Sequence, residues 1–150
     1  MDEKTVGTDV NQVEITSLSH IVGQAQVREV LRVSIDSYFQ HRATNPDSVF
    51  GPALLVGPSG VGKTLTAKAI HSELANLNLV ETNGEFMNKG QELLDTLVIA
   101  DENTTVFIDE AQSLNTENQH ILLTAISERK LYLPRNRSSK LPRTIRGGKI

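Results

Sequence analysis

The run Gly57-Pro58-Ser59-Gly60-Val61-Gly62-Lys63-Thr64 constrains this chain more than any other stretch, because it fits G-x-x-x-x-G-K-[ST] at every specified position. Glycines at these positions let successive backbone N–H groups turn toward one centre without side-chain interference, which makes a cradle for phosphate oxygens. Lys63 adds a point charge for the β- and γ-phosphates of a nucleotide, and the Thr64 hydroxyl is a ligand for Mg²⁺. The loop from Gly57 to Thr64, together with Leu65, is therefore the expected nucleotide site. Ala53-Leu54-Leu55-Val56 before it reads as a short buried strand, and Leu65 to Leu74 after it as a helix. That helix would turn the positive end of its dipole toward the phosphates. A glycine-rich turn could match the pattern by accident, but here strand, loop and helix follow in the required order.

A second constellation is Thr105-Val106-Phe107-Ile108-Asp109-Glu110, an apolar strand that ends on two adjacent carboxylates. Ligands of open α/β sheets bind at the carboxyl ends of the strands, so the acid pair and the glycine loop are expected at one edge. Asp109 suits Mg²⁺, which prefers octahedral oxygen ligands and keeps several waters. Glu110 suits a base that orients and deprotonates a water attacking the γ-phosphate. The same two acids without a phosphate loop would read equally well as a solvated helix start.

The remaining pattern alternates strands with helices. Apolar residues Val27, Val30, Leu31, Ile35, Tyr38 and Phe39 recur at three- and four-residue steps, which predicts one buried face of a helix over 24–42. Thr44-Asn45-Pro46-Asp47 ends it. A second strand is expected from Leu77 to Thr82, a turn at Asn83-Gly84, and a helix over 89–100 carrying Leu93, Leu94, Leu97 and Val98. A further helix over 116–127, capped by Asn115 or Thr116, would turn Ile121, Leu122, Ala125 and Ile126 inward. Leu131-Tyr132-Leu133 and Thr144-Ile145-Arg146 read as the two arms of a hairpin. Short continuous apolar strands between helices indicate an α/β fold, a parallel sheet flanked by helices. Residues 1–18 are polar and aperiodic and read as a mobile lead-in, leaving 19–150 as one domain whose segment 129–147 is a basic hairpin arm.

Charge is segregated along the chain. Eight of the fifteen basic residues follow Glu128, and no acid does, so the part up to Glu128 holds seven bases against eighteen acids, a balance of −11. An anionic partner for the basic end and a merely solvated tail explain this equally well. The absence of cysteine excludes a disulfide framework and thiol chemistry, and suits a cytoplasmic location. No apolar run approaches membrane-spanning length, so no membrane partner is expected. His20, His41, His71 and His120 have no metal-ligand spacing.

Three segments together, Ile21-Val22-Gly23-Gln24, the loop ending Gly62-Lys63-Thr64, and Asp109-Glu110-Ala111-Gln112, resemble the AAA+ ATPases. Within that family the chain is most similar to the motors that drive branch migration of Holliday junctions. Phe107-Ile108-Asp109-Glu110 followed by Ser113-Leu114-Asn115, and a basic arm from Lys130 to Arg146, carry that closer resemblance. It implies ATP and Mg²⁺ as ligands and Lys63 and Glu110 as catalytic residues. It also implies adenine contacts from Ile21 and Val22, a homo-oligomeric ring, and an arginine supplied by a neighbouring subunit. Four-way-junction DNA and a junction-binding protein are the implied partners. Asn83 stands where many family members keep a polar residue that restrains the catalytic glutamate; a plain turn asparagine explains it equally well.

Two departures accompany the resemblance. Ala111-Gln112 stands where the motors usually have Ile-His, and the sequence stops at Ile150, before the family's first-sensor strand, arginine finger and helical lid. The chain thus reads as a fragment. In the family order the sensor strand lies between the strands at Ala53 and Thr105, so both would need another partner for their backbone groups. A nucleotide-binding assembly module without turnover, or another AAA+ machine such as a clamp loader or unfoldase, remains open at this level.

Overall fold

The computed structural model describes residues 16–89, 91–133 and the backbone of 144–146. Its centre is a parallel pair, β1 (Asn78–Asn83) and β2 (Thr104–Asp109), in the register Asn78↔Thr104 through Asn83↔Asp109. Parallel neighbours need a crossover, supplied here by α3 (Gly84–Met87) and α4 (Glu92–Ile99). The turn before β2 is set by Asp101, whose carboxylate accepts from the Thr104 hydroxyl at 2.6 Å and the Asn103 amide at 3.0 Å. Those bonds, the Thr104 one foremost, hold the Asp101 carboxyl below its ordinary pKa.

The helices pack in two apolar clusters, and Ile108 of β2 leans on the second. One joins α1 (Ala25–Thr44) and α2 (Lys63–Glu73) through Leu31, Ile35, Ala69, Ile70 and Leu74, with Leu18 and Ile21 from the segment before α1. The other joins α3, α4 and α5 (Thr116–Glu128) through Met87, Leu93, Leu94, Leu97, Leu114 and Ala125, closed by Leu131 of β3 (Lys130–Tyr132). Tyr38 packs edge-on against Phe50, with ring centroids 5.7 Å apart, and both lean on the first cluster.

The α/β class, the helices and the hairpin follow the expected plan, with boundaries displaced by a few residues. The helix expected over 89–100 begins at Glu92. β3 pairs antiparallel with β4 (Thr144–Arg146), Leu131 opposite Ile145, so the two ends of the arm are joined as a hairpin; its residues 134–143 lie outside those described. Of the expected lead-in, residues 1–15 also lie outside. Its last residues are packed: the Ser17 hydroxyl and Leu18 amide donate to Glu73 Oε1 at 2.8 and 3.0 Å, and Leu18 is buried.

Three expectations are corrected. The run 53–56 joins no ladder among the described residues, and Leu54 and Val56 are 80% and 85% exposed. Composition supplies the apolar side chains of a strand, but a strand exists only where a neighbouring backbone takes up its N–H and C=O groups. Second, Asn83-Gly84 is not a free turn. Asn83 ends β1 and caps α3, its side-chain oxygen accepting from the Phe86 amide at 2.7 Å, as an N-cap asparagine does. Third, only part of each predicted helix face is buried. Leu31 and Ile35 are covered on α1, whereas Val27, Val30 and Phe39 are exposed, as are Val98 on α4 and Ile126 on α5. Val27, Val30 and Tyr38 line a groove of about 810 Å³ between α1 and the unpaired segment carrying Phe50, Leu54 and Leu55.

Met87 and Leu93 are the largest fully enclosed side chains, each 1% exposed. Leu93→Ala is expected to lower stability by about 2–5 kcal/mol through lost transfer energy and the cavity left behind. Urea unfolding followed by circular dichroism measures this; a loss near zero would mean that the second cluster does not hold the fold.

Candidate nucleotide site

The phosphate loop takes its shape from two left-handed glycines. Gly60 and Gly62 have φ of +80° and +88°, and a Cβ at either would meet nothing within 4 Å. Conformation, not crowding, is therefore what requires glycine there. Gly62 caps α2, and its carbonyl accepts from both the amide and the hydroxyl of Thr66 at 2.9 Å. The first amides of α2 are thus left facing the loop, where a helix N-terminus favours an anion. Lys63 Nζ lies within the loop's curve, donating to the carbonyls of Gly57 at 3.0 Å and Pro58 at 2.9 Å. Ser59, Gly60, Thr64 and Leu65 are exposed, and Val61 is half-buried with its methyl 3.2 Å from where a Gly57 Cβ would sit.

Two contacts fix how α2 lies on the strands. Near its C-terminal end, His71 Nδ1 shares a 3.0 Å hydrogen bond with the Thr105 hydroxyl, which also accepts from Asn76 at 2.7 Å. One turn earlier, Lys68 pairs with Glu81 at 3.0 Å, and Glu81 stands opposite Phe107 in the β1–β2 register. Moving back along α2 from His71 to Lys68 therefore moves forward along the strands from the Thr105 row to the Phe107 row. The helix runs antiparallel to both strands. Four more residues of helix, about 6 Å, reach Thr64, and two more of strand, about 7 Å, reach Asp109. Loop and acid pair thus arrive at the same edge of the layer, the carboxyl ends of β1 and β2.

At that edge Asp109 is half-buried and its Oδ1 accepts from the Glu110 amide at 2.9 Å. Glu110 is exposed and left-handed, with φ of +48°, a conformation uncommon for a side-chain-bearing residue. Its carboxylate accepts from the Gln112 amide. A 3-10 turn, Ala111–Ser113, follows at once. No group of three or more His, Asp or Glu gathers as a metal cluster among the described residues. Mg²⁺ needs only one or two protein oxygen ligands when nucleotide and water supply the rest, and the donor types suit it: the Thr64 hydroxyl is exposed and the Asp109 carboxylate half-buried. Of the two expected adenine contacts, Ile21 is buried in the first cluster, whereas Val22 is 96% exposed.

Several residues at or beneath this site carried no recognisable signal. His71, Asn76 and Thr105 are unremarkable in a sequence, and Lys68–Glu81 pairs positions on different elements. Only the fold brings them together.

The comparisons with known proteins agree with this architecture. The family model of the Holliday junction DNA helicase RuvB P-loop domain matches residues 13–138. The chain belongs to this RuvB P-loop family. Among curated RuvB proteins, described as Holliday junction branch migration complex subunits, that of Fusobacterium nucleatum is 32% identical over 81% of this chain and 36% of its own length. That of Orientia tsutsugamushi is 33% identical over 74% of this chain and 32% of its own length. The solved Thermotoga maritima RuvB, a Holliday junction branch migration motor, superposes with a TM-score of 0.65 at 31% identity, covering 76% of this chain and 36% of that one. The chain thus spans about a third of the length of the relatives it matches. Nucleotide binding follows from membership in a P-loop family of this kind. Among the described residues, no helix is long and apolar enough to cross a membrane.

The straps under the loop have a measurable role. Thr105→Val removes the hydroxyl shared by His71 and Asn76 and is expected to cost about 1–2 kcal/mol. Chemical denaturation measures it. An unchanged midpoint would mean that α2 is held without this contact.

Proposed function

We propose that the chain is the nucleotide-binding part of an ATP-hydrolysing RuvB-type motor for branch migration of DNA junctions, acting in recombination and repair. The observation that carries this reading is the arrival of a complete phosphate loop and the Asp109-Glu110 pair at one sheet edge, in a chain matched by the RuvB P-loop model. Loop amides from Gly57 to Thr64, with the first turn of α2 through Leu65, would bind the phosphates of ATP, and Lys63 would neutralise their charge. Thr64 and Asp109 would hold Mg²⁺, which when bound offsets charge developing on the phosphate oxygens. Glu110 would orient the attacking water and take its proton. Val22 is free to meet a nucleotide base, while Ile21 would act through the packing that sets its neighbour's position.

Further elements of the reading belong to the whole protein. They are a homo-oligomeric ring, an arginine from a neighbouring subunit, a junction-binding partner, and DNA held by phosphate attraction to the basic arm. A cytoplasmic location suits the cysteine-free composition. A second reading, a nucleotide-binding assembly module without turnover, is favoured by two observations. The run 53–56 lacks a ladder partner among the described residues, and Gln112 holds the Glu110 carboxylate.

Nucleotide affinity and phosphate release measured on one sample separate the two readings. Lys63→Ala is expected to weaken ATP binding by about 10- to 150-fold, the equivalent of one charge-assisted hydrogen bond of about 1.5–3 kcal/mol. Normal affinity in that variant would remove the loop from the site. Glu110→Gln is expected to bind ATP normally and to slow phosphate release by roughly 100- to 10,000-fold. Unaltered release would show that another group activates water.

A further inference from the structure

The turn that carries Glu110 is held from behind by residues outside the two nucleotide motifs. Gly84, the first residue of α3, has no positive φ, so its backbone would accept any side chain. Space is what it lacks. A Cβ there would stand 2.5 Å from the Glu110 carbonyl oxygen, 3.1 Å from the Leu114 amide nitrogen and 3.4 Å from the Glu110 carbonyl carbon. All three are backbone atoms, so no side-chain rotation relieves the overlap. The same Glu110 carbonyl accepts from the Ser113 amide at 2.8 Å, closing the turn that follows the acid pair.

Asn88, just past the end of α3, grips the other side of this turn. Its Nδ2 donates to the Ser113 carbonyl at 2.7 Å, and its Oδ1 accepts from the Asn115 amide at 2.8 Å. Asn118, buried, keeps Asn88 in register: its Nδ2 donates to the Met87 carbonyl at 2.8 Å and reaches Asn88 Oδ1 at 3.3 Å. Asn115 in turn caps α5 by accepting from the Asn118 amide at 2.8 Å. Backbone approach at Gly84 and side-chain bonds at Asn88 thus bracket residues 110–115. Within that bracket Glu110 sits in the left-handed region, which persists only where the surroundings over-determine it.

We propose that Gly84 and Asn88 are positioning residues for Glu110, fixing the backbone of its turn and so the direction in which its carboxylate projects. The catalytic consequence rests on the reading of Glu110 as the water-activating base; the geometric one does not. A methyl group at Gly84 pushes the turn back by roughly 1 Å, from 2.5 Å to ordinary contact near 3.4 Å. A misplacement of that size costs on the order of 100-fold in rate when it falls on a catalytic group. The hydrogen bonds described for the phosphate loop run within the loop and the first turn of α2, so nucleotide affinity is expected to be spared.

The test uses the full chain, with Gly84→Ala and Asn88→Ala beside Leu93→Ala, which weakens the cluster that also holds Leu114 but leaves the Gly84 approach and the Asn88 bonds in place. Three quantities are read: affinity for a fluorescent ATP analogue, phosphate release at saturating ATP, and amide exchange at Ser113 and Asn115. For the two positioning variants we expect affinity within about threefold of the parent and turnover lower by about 10- to 100-fold. Ser113 and Asn115 should lose protection while the β1–β2 ladder keeps it. Leu93→Ala should show neither the turnover loss nor the selective exchange. The proposal is overturned if both variants leave Ser113 and Asn115 protected, or if their turnover falls only as far as that of Leu93→Ala. A parent chain that binds nucleotide without releasing phosphate would sink the reading of Glu110 as a base. In that case amide exchange alone decides the positioning role.

Discussion

The antiparallel seating of α2 on the β1–β2 pair is the constraint from which the rest of this structure follows. A phosphate loop alone is a flexible glycine-rich segment, and an acid pair alone is a charged strand end. They come to one edge of the layer because α2 descends from the loop while β2 rises to the acids. The Thr105 hydroxyl and the Lys68–Glu81 pair fix that opposition at two heights of the layer. The ion pair is partly exposed, where such pairs contribute little net energy. Its value is directional; the apolar burial of α2, through Ala69, Ile70 and Leu74, is against α1 and the segment before it.

The acid edge is built differently. Asp109 is fixed by strand register against Asn83, whereas Glu110 lies one residue past the ladder and depends on the turn after it. Asn88 holds that turn through the Ser113 carbonyl and the Asn115 amide, Asn118 braces Asn88, and Asn83 and Asn115 cap the helices on either side. Asparagine suits this work because its amide both donates and accepts, so one side chain satisfies two orphaned backbone groups at a helix boundary. Asn88 does both here, and with three further asparagines it makes this side of the site polar and geometrically determined. The loop side, by contrast, depends on glycine torsions.

The run 53–56 shows the opposite situation. Its side chains have strand character, yet Leu54 and Val56 face solvent and no described backbone pairs with it. The chain spans about a third of the length of the RuvB relatives it matches, and apolar composition makes no strand without a neighbouring backbone to take up its N–H and C=O groups. Val27 and Val30, on the partly open face of α1, line the groove beside this run.

How much could be read from the chain alone divides along a physical line. Local chemistry was legible: the positive-φ glycines, Lys63, Thr64 and the strand-borne Asp109-Glu110 are dictated by short-range backbone geometry and by residue type, and so were most helices and the hairpin. What required the fold were interactions between residues far apart in the chain. Whether 53–56 pairs depends on a neighbouring backbone and not on its own composition. Asn83 looks like a turn residue until α3 supplies the amide it caps. Gly84 reads as a turn glycine until the turn after β2 brings the Glu110 carbonyl to 2.5 Å from its missing Cβ. Sequence determined which chemical groups this protein possesses; tertiary structure decided which of them meet, because burial and hydrogen bonding act between neighbours in space.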